Sequence, residues 1–504
     1  MVDTPMGLRL GGMGAVEPDE APATVAFMPQ ATRLPHLYVD LDGTLIASDL
    51  LHESTLLLVR DAPLAALRLP GWLMRGKAAT KREIAQRVRL DAAALPYRAA
   101  VLELIGRARQ QGRRVVLATA CDRSLAEAVS AHLGLFDRVL ASDGQRNLAG
   151  EQKLRAIEDD AAGHPFCYVS DDAVDLAVWR NAQSAVVVSN SKALLREAAA
   201  LTRVEAAIEV PKPGVRDYVY GMRLHQWLKN LLVFVPLLPI LNQATLPMLL
   251  AALAMFAAFG LCASAIYIVN DLLDLESDRH HHRKKGRPFA AGLIPISRAL
   301  RLALLLLAAS IALVALTLPP MALLALGAYV LLTTAYSTWL KRRMLVDVFA
   351  LAGLYTMRIL AGWAATRVEP SFWMLAFAMF MFLSLALAKR YVEIGELKPG
   401  DAEEVKGRAY TARDGSFIMA AGLSSGQLAI LTLCLYLNEP ALAGRYAYPF
   451  VLWLLCPLLL YWLARIWLKA HRGELYDDPV VFTIRDRLSR LITIAAVLLV
   501  VAAS

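Results

Sequence analysis

Four oxygen-bearing side chains stand close together near residue 270, directly after a long apolar segment. They are Asn270, Asp271, Asp274 and Asp278. Residues four apart share one face of a helix, so Asn270, Asp274 and Asp278 are predicted to form an oxygen-rich ridge, with Asp271 beside it. Oxygen ligands suit Mg²⁺, which fills its remaining sites with substrate phosphate oxygens. Polar ligands at the mouth of a membrane helix are costly unless they are used, so the alignment favours a magnesium and phosphate site over a solvated helix end.

A basic run, residues 279–287, follows these carboxylates and would supply countercharge for phosphates. It contains three consecutive histidines, which could suggest a transition metal. Neighbours on a helix point in different directions, so three in a row do not easily share one ion. We interpret the run as a phosphate-binding loop, with His281, Lys284 and Arg287 as its predicted contacts.

A second group of acids follows a short apolar strand near the start of the chain. The stretch Leu37–Leu45 reads LYVDLDGTL, which places Asp40 at the strand end and Asp42 two residues on, towards the same side. A strand-end aspartate exposed in a loop is well placed for nucleophilic attack. Two negative groups, a carboxylate and a phosphate, can meet only if Mg²⁺ and a lysine screen their repulsion.

Three further motifs follow this strand in order: an apolar strand RVVLAT at 114–119 that ends in a hydroxyl, GEQK at 150–153, and YVSDDAVDL at 168–176. Together, over residues 37–176, the four motifs resemble the haloacid dehalogenase superfamily of phosphatases. The resemblance implies an α/β Rossmann-like domain that uses Mg²⁺. The implied roles are Asp40 as nucleophile, Asp42 as general acid/base, Thr119 and Lys153 as phosphate contacts, and Asp40, Asp42 and Asp171 as metal ligands. The family usually has glycine at the position of Ser170, so the turn before Asp171 is expected to differ.

Residues 49–112 are patterned as helices and are predicted to form a small helical cap over the phosphatase site. Within them, Leu64–Met74 is apolar and has arginines around it. Such a stripe lies either on a membrane surface or in a packed core, and we favour the core because it is the commoner outcome. Residues 1–35 lack an apolar segment behind basic residues, so we expect a disordered leader and no signal peptide.

The composition is too apolar for a soluble protein of this length. The chain has 504 residues, of which 57% are hydrophobic, and its mean hydropathy is +0.46. The net charge is +9, but Lys and Arg cluster between apolar segments, so the charge reports on membrane topology and not on nucleic acid. The five cysteines form no CxxC pair, which predicts neither a zinc site nor a disulfide framework.

The long apolar segments begin after a linker at about 206–216, which separates a phosphatase-like domain (36–205) from a membrane domain (217–504). About nine spans are predicted, near 228–242, 247–271, 297–317, 319–338, 345–366, 371–388, 416–437, 446–468 and 488–503. The loops after the second, fourth, sixth and eighth spans are basic, and the alternate loops are nearly bare. Positive-inside bias therefore predicts a bacterial inner-membrane protein whose N-terminal domain and both sites are cytoplasmic.

From about residue 217 to the end, the chain resembles the UbiA-type intramembrane prenyltransferase superfamily, which has nine helices and an NDxxDxxxD motif after the second. This resemblance implies an all-α membrane bundle. Four shorter stretches narrow it to the polyprenyl-phosphate phosphoribosyltransferases, as in decaprenyl-phosphate ribose synthesis: RLHQWLKN at 223–230, RPFAAG at 287–292, YSTWLK at 336–341, and DVFALA at 347–352 leading to Arg358.

The phosphoribosyltransferase resemblance implies Asp274 and Asp278 as catalytic residues. It also implies a set of substrate contacts: Lys229, Asn230, His281, Lys284, Arg287, Tyr336, Lys341, Asp347 and Arg358. The cations in this set are expected near the cytoplasmic face, where a diphosphate, a 5-phosphate and a lipid phosphate must be neutralised. Aromatic prenyltransferases carry a second acidic cluster after the fourth helix, and here only Asp347 stands in that place.

The leading hypothesis is therefore a bifunctional enzyme. Its membrane domain would transfer 5-phosphoribose from phosphoribosyl diphosphate to a polyprenyl phosphate, and its soluble domain would remove the 5-phosphate. The alternatives are an aromatic or quinone-precursor prenyltransferase with a phosphatase-like domain, and a non-enzymatic lipid-phosphate transporter. A transporter should have polar residues along a path across the bilayer, whereas the distal loops here are almost empty of charge.

Overall fold

The computed structural model describes residues 34–395, 409–439, 446–475 and 479–503. All but the last two residues of the predicted leader lie outside this part of the chain. The N-terminal half is built on six parallel strands: β1 His36–Val39, β2 Val115–Asp122, β3 Arg138–Ser142, β4 Phe166–Ser170, β5 Ser184–Val187 and β6 Arg203–Ala207. The strand order β3-β2-β1-β4-β5-β6 changes direction between β1 and β4. Ligands bind at such a switch point, beyond the carboxyl ends of the strands.

Ten helices accompany this sheet and its linker. They are α1 Leu50–Asp61, α2 Pro63–Ala66, α3 Leu69–Leu73, α4 Lys77–Ala85, α5 Ala99–Gln110, α6 Arg123–Leu133, α7 Glu151–Ala161, α8 Leu176–Asn181, α9 Lys192–Leu201 and α10 Val215–Gly221. The predicted Rossmann-like α/β class with a helical cap is confirmed. The cap ends earlier than expected, because Val101 and Ile105 of α5 pack in the same buried cluster as Leu37 and Leu117 of the sheet.

The apolar stripe of the cap faces outwards. Leu64, Leu67, Leu73 and Met74 are 81%, 77%, 61% and 90% exposed, and only Trp72 of this stretch is deeply buried. The packed core predicted for Leu64–Met74 is therefore wrong for these four side chains. The two short helices α2 and α3 leave too little surface on their inner face to bury every apolar residue.

Eight helical segments of the described C-terminal half are long and apolar enough to cross a membrane: Leu224–Gln243, Leu246–Leu273, Ile296–Thr317, Pro320–Arg342, Val346–Thr366, Phe372–Gly395, Ala412–Leu437 and Pro449–His471. The first is a 3₁₀ helix that contains Pro236 and Pro239. The α-helices are α11 Leu246–Leu273, α12 Leu275–His280, α13 Ile296–Thr317, α14 Pro320–Thr338, α15 Val346–Thr366, α16 Phe372–Gly395, α17 Gly415–Leu437, α18 Leu455–His471, α19 Pro479–Arg485 and α20 Arg487–Ala503. The last corresponds to the ninth predicted span, and the expected all-α bundle is confirmed.

Small residues allow the bundle to pack closely. An added Cβ at Gly362 of α15 would collide with the carbonyl oxygen of Val233 in the first span. A Cβ at Gly422 of α17 would likewise strike the ring of Trp467 on α18. Membrane helices associate through close packing of this kind, because lipid provides no hydrophobic driving force between them.

The soluble and membrane domains are joined by a buried ion pair. Arg279, just beyond the acidic motif, donates to both carboxylate oxygens of Glu53 on α1, at 3.0 and 2.6 Å, and both side chains are less than a tenth exposed. Arg60 at the end of α1 pairs with Glu276 at 2.9 Å. Leu56, between them, packs against the apolar cluster at the end of the bundle. One face of α1 therefore attaches the cap to the segment that carries the acidic motif.

This interface predicts that removing Glu53 lowers the stability of the protein more than removing Glu276. Glu53→Ala leaves Arg279 buried without a carboxylate, which should cost about 3–5 kcal/mol. Glu276→Ala opens a pair that is more than a quarter exposed on each side, and should cost less than about 1 kcal/mol. Thermal unfolding of the purified full-length protein measures both, and the double variant with Arg279→Ala should recover part of the loss. Equal melting temperatures for the two single variants would contradict the structural role of the buried pair.

Candidate active sites

The acids predicted in the soluble domain meet at the carboxyl ends of β1 and β4. Asp40 follows β1, and Lys153 reaches it from the first turn of α7, with Nζ 3.1 Å from Asp40 Oδ1. Lys153 is also 3.1 Å from Asp175 Oδ1 and donates to the Tyr168 hydroxyl at 2.8 Å. Its ammonium group is thus held between two buried carboxylates.

Asp175 was not among the predicted site residues. The sequence signal that could have found it is the spacing from Asp171, since two acids four residues apart follow the same strand. The departure at Ser170 is explained by this acid, because the Ser170 hydroxyl is fully buried and donates to Asp175 Oδ2 at 2.6 Å. Ser170 therefore helps to hold the carboxylate that faces Lys153.

Asp42 and Asp171 lie on either side of the turn that follows Asp40. Asp42 Oδ1 accepts from the backbone N–H of Leu50 at 2.8 Å, and Asp171 Oδ1 accepts from the Thr44 hydroxyl at 2.9 Å. Gly43 has φ +73°, and a Cβ there would strike the Asp171 carboxylate. The turn therefore needs glycine both for its conformation and for the close approach of Asp171.

Burial raises the pKa of Asp40, Asp42 and Asp171. The pKa of Asp40 lies well above its usual range because burial disfavours the charged form; Lys153 opposes this effect, and the charges of Asp175, Asp42 and Asp171 add to it. Burial, together with Asp49, raises the pKa of Asp42 to about 7, where a carboxyl can both give and accept a proton near neutral pH. Burial also raises the pKa of Asp171 to about 6.

Two further groups border this site. Thr119 on β2 is fully buried, and its hydroxyl accepts from the backbone N–H of Cys121 at 3.0 Å. Lys81 of the cap helix α4 donates to the Ala120 carbonyl at 2.6 Å, and its charge lowers the pKa of Asp42. Sequence reasoning missed Lys81, because no local pattern shows that the cap returns over the end of β2.

In the membrane domain, the predicted ridge of Asn270, Asp274 and Asp278 is interrupted. Helix α11 ends at Leu273 and α12 begins at Leu275, and Asp274 between them departs from helical geometry at φ −100° and ψ 12°. The expectation of one continuous helix is therefore wrong. Asp274 is exposed, whereas Asp271 and Asp278 are buried.

Arginines bring Asp271 and Asp278 together across this break. Arg287 Nη1 donates to Asp278 Oδ2 at 2.6 Å and to Asp271 Oδ1 at 3.1 Å. Arg223, from the segment before the first span, also pairs with Asp271. Lys284 Nζ stands 3.9 Å from Asp278 Oδ1. Arg223 was not a predicted contact, although it opens the stretch RLHQWLKN on which the resemblance drew.

Four other predicted site residues of the membrane domain are Asn270, Tyr336, Lys341 and His281, and their positions are as follows. The side-chain amide of Asn270 donates to the Ser337 hydroxyl at 3.2 Å, which ties α11 to the end of α14. Tyr336 is half-buried on α14, and Lys341 lies in the short 3₁₀ turn Leu340–Arg342 that follows. His281 is exposed at the end of α12, where its Nδ1 accepts from the backbone N–H of Arg283 at 3.1 Å.

Asp347 does not face this group as a substrate contact. It is fully buried at the start of α15, where Oδ2 lies 2.9 Å from Nε of the equally buried Arg390. The Tyr410 hydroxyl donates to its Oδ1 at 2.6 Å. The expectation that Asp347 contacts substrate is corrected, because both carboxylate oxygens are occupied within the protein and the residue has no exposed surface.

Arg358 and Asn230 are both buried inside the bundle, where they contact each other. Arg358 lies near the middle of α15 and not at its end, and its position near the cytoplasmic face stays a prediction. Its Nε donates to Asn230 Oδ1 at 2.9 Å, and its guanidinium group lies over the rings of Tyr329 and Tyr355. Lys229, one residue before Asn230, has Nζ 5.5 Å from the centre of the Tyr355 ring.

The donor chemistry of both sites fits Mg²⁺. Within the described ranges, no three His, Cys, Asp or Glu side chains converge closely enough to form a complete metal-binding group. In the soluble domain, however, the mutual repulsion of Asp40, Asp42 and Asp171 is what a divalent cation would relieve. In the membrane domain the oxygens come from the predicted acidic motif, in which arginine already counters two of the three carboxylates.

A cavity of about 560 Å³ lies between the two domains. Its walls come from the turn after Asp42, the segment that returns from the cap, the linker and the loop after the acidic motif; they include Ala47, Tyr97, Arg98, Ile208, Glu209, Arg279, His280, Lys285 and Ala290. Arg98 in its wall donates to the carbonyl of Gly43 at 3.1 Å, in the turn after Asp42, and Arg279 in its wall directly follows the acidic motif.

Comparison with known families agrees with this division of the chain. Residues 37–180 match the haloacid dehalogenase-like hydrolases, and residues 232–485 match the UbiA prenyltransferase family, which is half of the chain. The chain belongs to the UbiA prenyltransferase family. It is an integral membrane member that carries a haloacid dehalogenase-like domain at its N-terminal side.

Individual relatives cover the chain to different extents. The uncharacterized protein y4nM of Sinorhizobium fredii is 39% identical over 90% of this chain and 88% of its own length. Decaprenyl-phosphate phosphoribosyltransferase of Corynebacterium glutamicum is 37% identical over 36% of this chain and 56% of its own length. A UbiA homolog from Archaeoglobus fulgidus, solved with DMAPP and Mg²⁺, aligns with 57% of this chain and 97% of its own at 16% identity and a TM-score of 0.44.

The buried position of Lys153 predicts a specific loss of phosphatase chemistry. Lys153→Met should lower hydrolysis of p-nitrophenyl phosphate at least about 100-fold, because it removes the cation that faces Asp40 and the incoming phosphate. Lys153→Arg keeps the charge and should recover part of the rate. Ser170→Ala, which removes only one hydrogen bond to Asp175, serves as the matched control and should lose only a few-fold. Melting temperatures establish that each variant is folded, and a folded Lys153→Met protein with the parent rate would contradict this assignment.

Proposed function

We propose that this UbiA family member transfers 5-phosphoribose from phosphoribosyl diphosphate to a polyprenyl phosphate, and that its soluble domain removes the 5-phosphate from the lipid product. The observation that carries the choice of reaction is the burial of Asp347 against Arg390 and Tyr410. An aromatic prenyltransferase needs a second acidic cluster at that place, and here its single acid is already neutralised. The similarity to decaprenyl-phosphate phosphoribosyltransferase supports the same choice.

The transfer breaks the bond between C1 of the ribose and the diphosphate oxygen and forms a bond from C1 to an oxygen of the lipid phosphate. Every participant is anionic, so the chain must supply positive charge. Arg287 and Lys284 stand at Asp278, and Arg223 stands at Asp271. These side chains, with Lys229 and Lys341 from neighbouring segments, would bind and orient the phosphates, and the arginines could exchange a carboxylate for a phosphate.

In the soluble domain, the Asp40 carboxylate would attack phosphorus as the alcohol of the ribose leaves with a proton from Asp42. Water would then attack the aspartyl phosphate and return a proton to Asp42. Lys153 would hold the phosphate oxygens against Asp40. Mg²⁺, held by Asp40, Asp42 and Asp171 here and by Asn270, Asp274 and Asp278 with Asp271 nearby in the membrane domain, would neutralise phosphate charge when bound.

The charge pattern supports an orientation in a bacterial inner membrane with the basic loops, the soluble domain and both sites in the cytoplasm. The interdomain cavity supports a functional connection between the domains, because Arg98 in its wall contacts the turn after Asp42 and Arg279 in its wall directly follows Asp278. Fusion keeps the second enzyme at a high effective concentration near the lipid product.

The transfer is tested by incubating the purified protein with Mg²⁺, phosphoribosyl diphosphate and polyprenyl phosphates, followed by mass spectrometry of the lipids. Asp274→Asn and Asp278→Asn should each lower transfer at least about 100-fold, because each removes a carboxylate that would hold Mg²⁺ at the phosphate site. Asp274 is exposed, so its variant should keep the parent melting temperature. Glu276→Gln, on the same short helix, is the control that should retain transfer.

Parent-like transfer by Asp274→Asn would remove that residue from the site. Prenylation of 4-hydroxybenzoate by the parent protein from a prenyl diphosphate, with no ribose transfer, would replace the proposed reaction by the aromatic one.

The coupling of the two reactions predicts an altered product in an Asp40 variant. Asp40→Asn should leave transfer nearly normal while phosphoribosyl-lipid accumulates in place of ribosyl-lipid, because only the phosphatase nucleophile is lost. Mass spectrometry of lipid extracted from parent and variant reactions makes the comparison. If the variant forms ribosyl-lipid as fast as the parent, the soluble domain acts on a different substrate.

A further inference from the structure

The cap carries an apolar surface that its own fold leaves uncovered. This apolar cap surface consists of Leu64, Leu67, Leu73 and Met74, all largely exposed. The opposite face of the same segment has a core of its own, in which Trp72 packs with Leu58 and Ile84. The segment therefore already has its own packed core, and the four exposed side chains are not part of it. These four large apolar residues all fall within residues 64–74, and a cluster of exposed apolar side chains marks a surface that binds something else.

Basic residues predominate along the segment that carries this surface. No Asp or Glu occurs between residues 62 and 82, whereas Arg68, Arg75 and Lys77 lie within or beside the apolar segment. All three basic side chains are exposed, and the carboxylate nearest to Arg75 is Glu83 at 3.8 Å. An apolar strip bordered by Lys and Arg is the composition of segments that lie on anionic lipid surfaces.

The cap lies against one end of the membrane bundle through its helix α1. Helix α1 packs on the end of the membrane bundle, where Leu56 joins the cluster that contains Ala299 and Ala303 of α13. Leu304 and Leu305, in the same turn of α13, are exposed as lipid-facing residues are. The pair between Arg60 and Glu276 holds the last turn of α1 at this level, and the apolar cap surface begins three residues after α1 ends.

We propose that the apolar cap surface lies in the headgroup region of the same bilayer that holds the membrane helices of the chain. The four side chains would enter the boundary between headgroups and acyl chains, with Arg68, Arg75 and Lys77 at the phosphates. The bilayer would then hold the cap, and with it the phosphatase-like site, at the lipid surface. A second consequence, which rests on the proposed function, is that a lipid-linked phosphate monoester reaches this site without leaving the membrane.

Site-directed fluorescence on the full-length protein tests the contact. Leu67→Cys carries an environment-sensitive NBD label in nanodiscs of phosphatidylcholine and phosphatidylglycerol in equal parts. Ala200→Cys, an exposed position on α9 across the sheet, is the control, and the parent protein treated with the label sets the background of its native cysteines. We expect lipids with a nitroxide on the acyl chain to quench the label at 67 and not at 200, and iodide to quench the label at 200 more strongly.

Equal iodide quenching at both positions, with no quenching by nitroxide lipid, would overturn the proposal. Protection from iodide at 67 without nitroxide quenching would also overturn it, because the surface would then be covered by protein.

A separate activity measurement uses Leu67→Glu combined with Met74→Glu. Hydrolysis of phosphoribosyl-lipid should fall at least about tenfold, as expected when two large side chains lose their apolar environment. Hydrolysis of p-nitrophenyl phosphate should stay within about twofold, since neither side chain is among the polar contacts of Asp40 and Lys153. Ala200→Glu should change neither rate. If the parent protein does not hydrolyse phosphoribosyl-lipid, the proposed function is contradicted. Membrane contact is then decided by the fluorescence experiment alone.

Discussion

The buried pair between Arg279 and Glu53 is the interaction on which the relation of the two domains depends. Neither charge could remain in this interface without the other, because an isolated buried ion is far more costly than a paired one. Each residue of the pair is also connected to one of the candidate sites. Glu53 accepts from the Ser48 hydroxyl at 2.5 Å, and the Ser48 carbonyl accepts from the N–H of Gly43 in the turn after Asp42. Arg279 directly follows Asp278, which Arg287 holds. One short chain of polar contacts therefore runs between the two candidate sites.

Both candidate sites contain several carboxylates that repel one another, and in both a cationic side chain lies between them. Each gathers carboxylates in a protected place and sets cationic side chains between them: Lys153 between Asp40 and Asp175, and Arg287 between Asp271 and Asp278. Such an arrangement keeps the folded protein from holding uncompensated charge. Under the proposed function, the same cations would bind a phosphate in place of a carboxylate.

Polar groups deeper in the bundle are held differently. Arg358 has no carboxylate partner in the part of the chain that the structure describes, and its charge is met by Asn230, by the carbonyl of Leu354 and by the faces of two tyrosine rings. Charged side chains at this depth are rare and expensive, and they normally face the interior of a bundle. Arg358 follows that rule, and its contacts join the first span to α14 and α15.

The sequence by itself determined the two-domain division, the positions of the membrane helices and most of the acids, because hydropathy and strand or helix periodicity are local properties. The motifs around Asp40, Lys153 and Asp171 meet as predicted, since the carboxyl ends of adjacent parallel strands share one edge of the sheet. Only the tertiary structure decided which charges face each other. Glu53 and Arg279 are 226 residues apart, and Asp347 finds Arg390 on another helix. The break at Asp274, the outward face of the cap and the depth of Arg358 likewise depend on packing between distant segments, which no local pattern encodes.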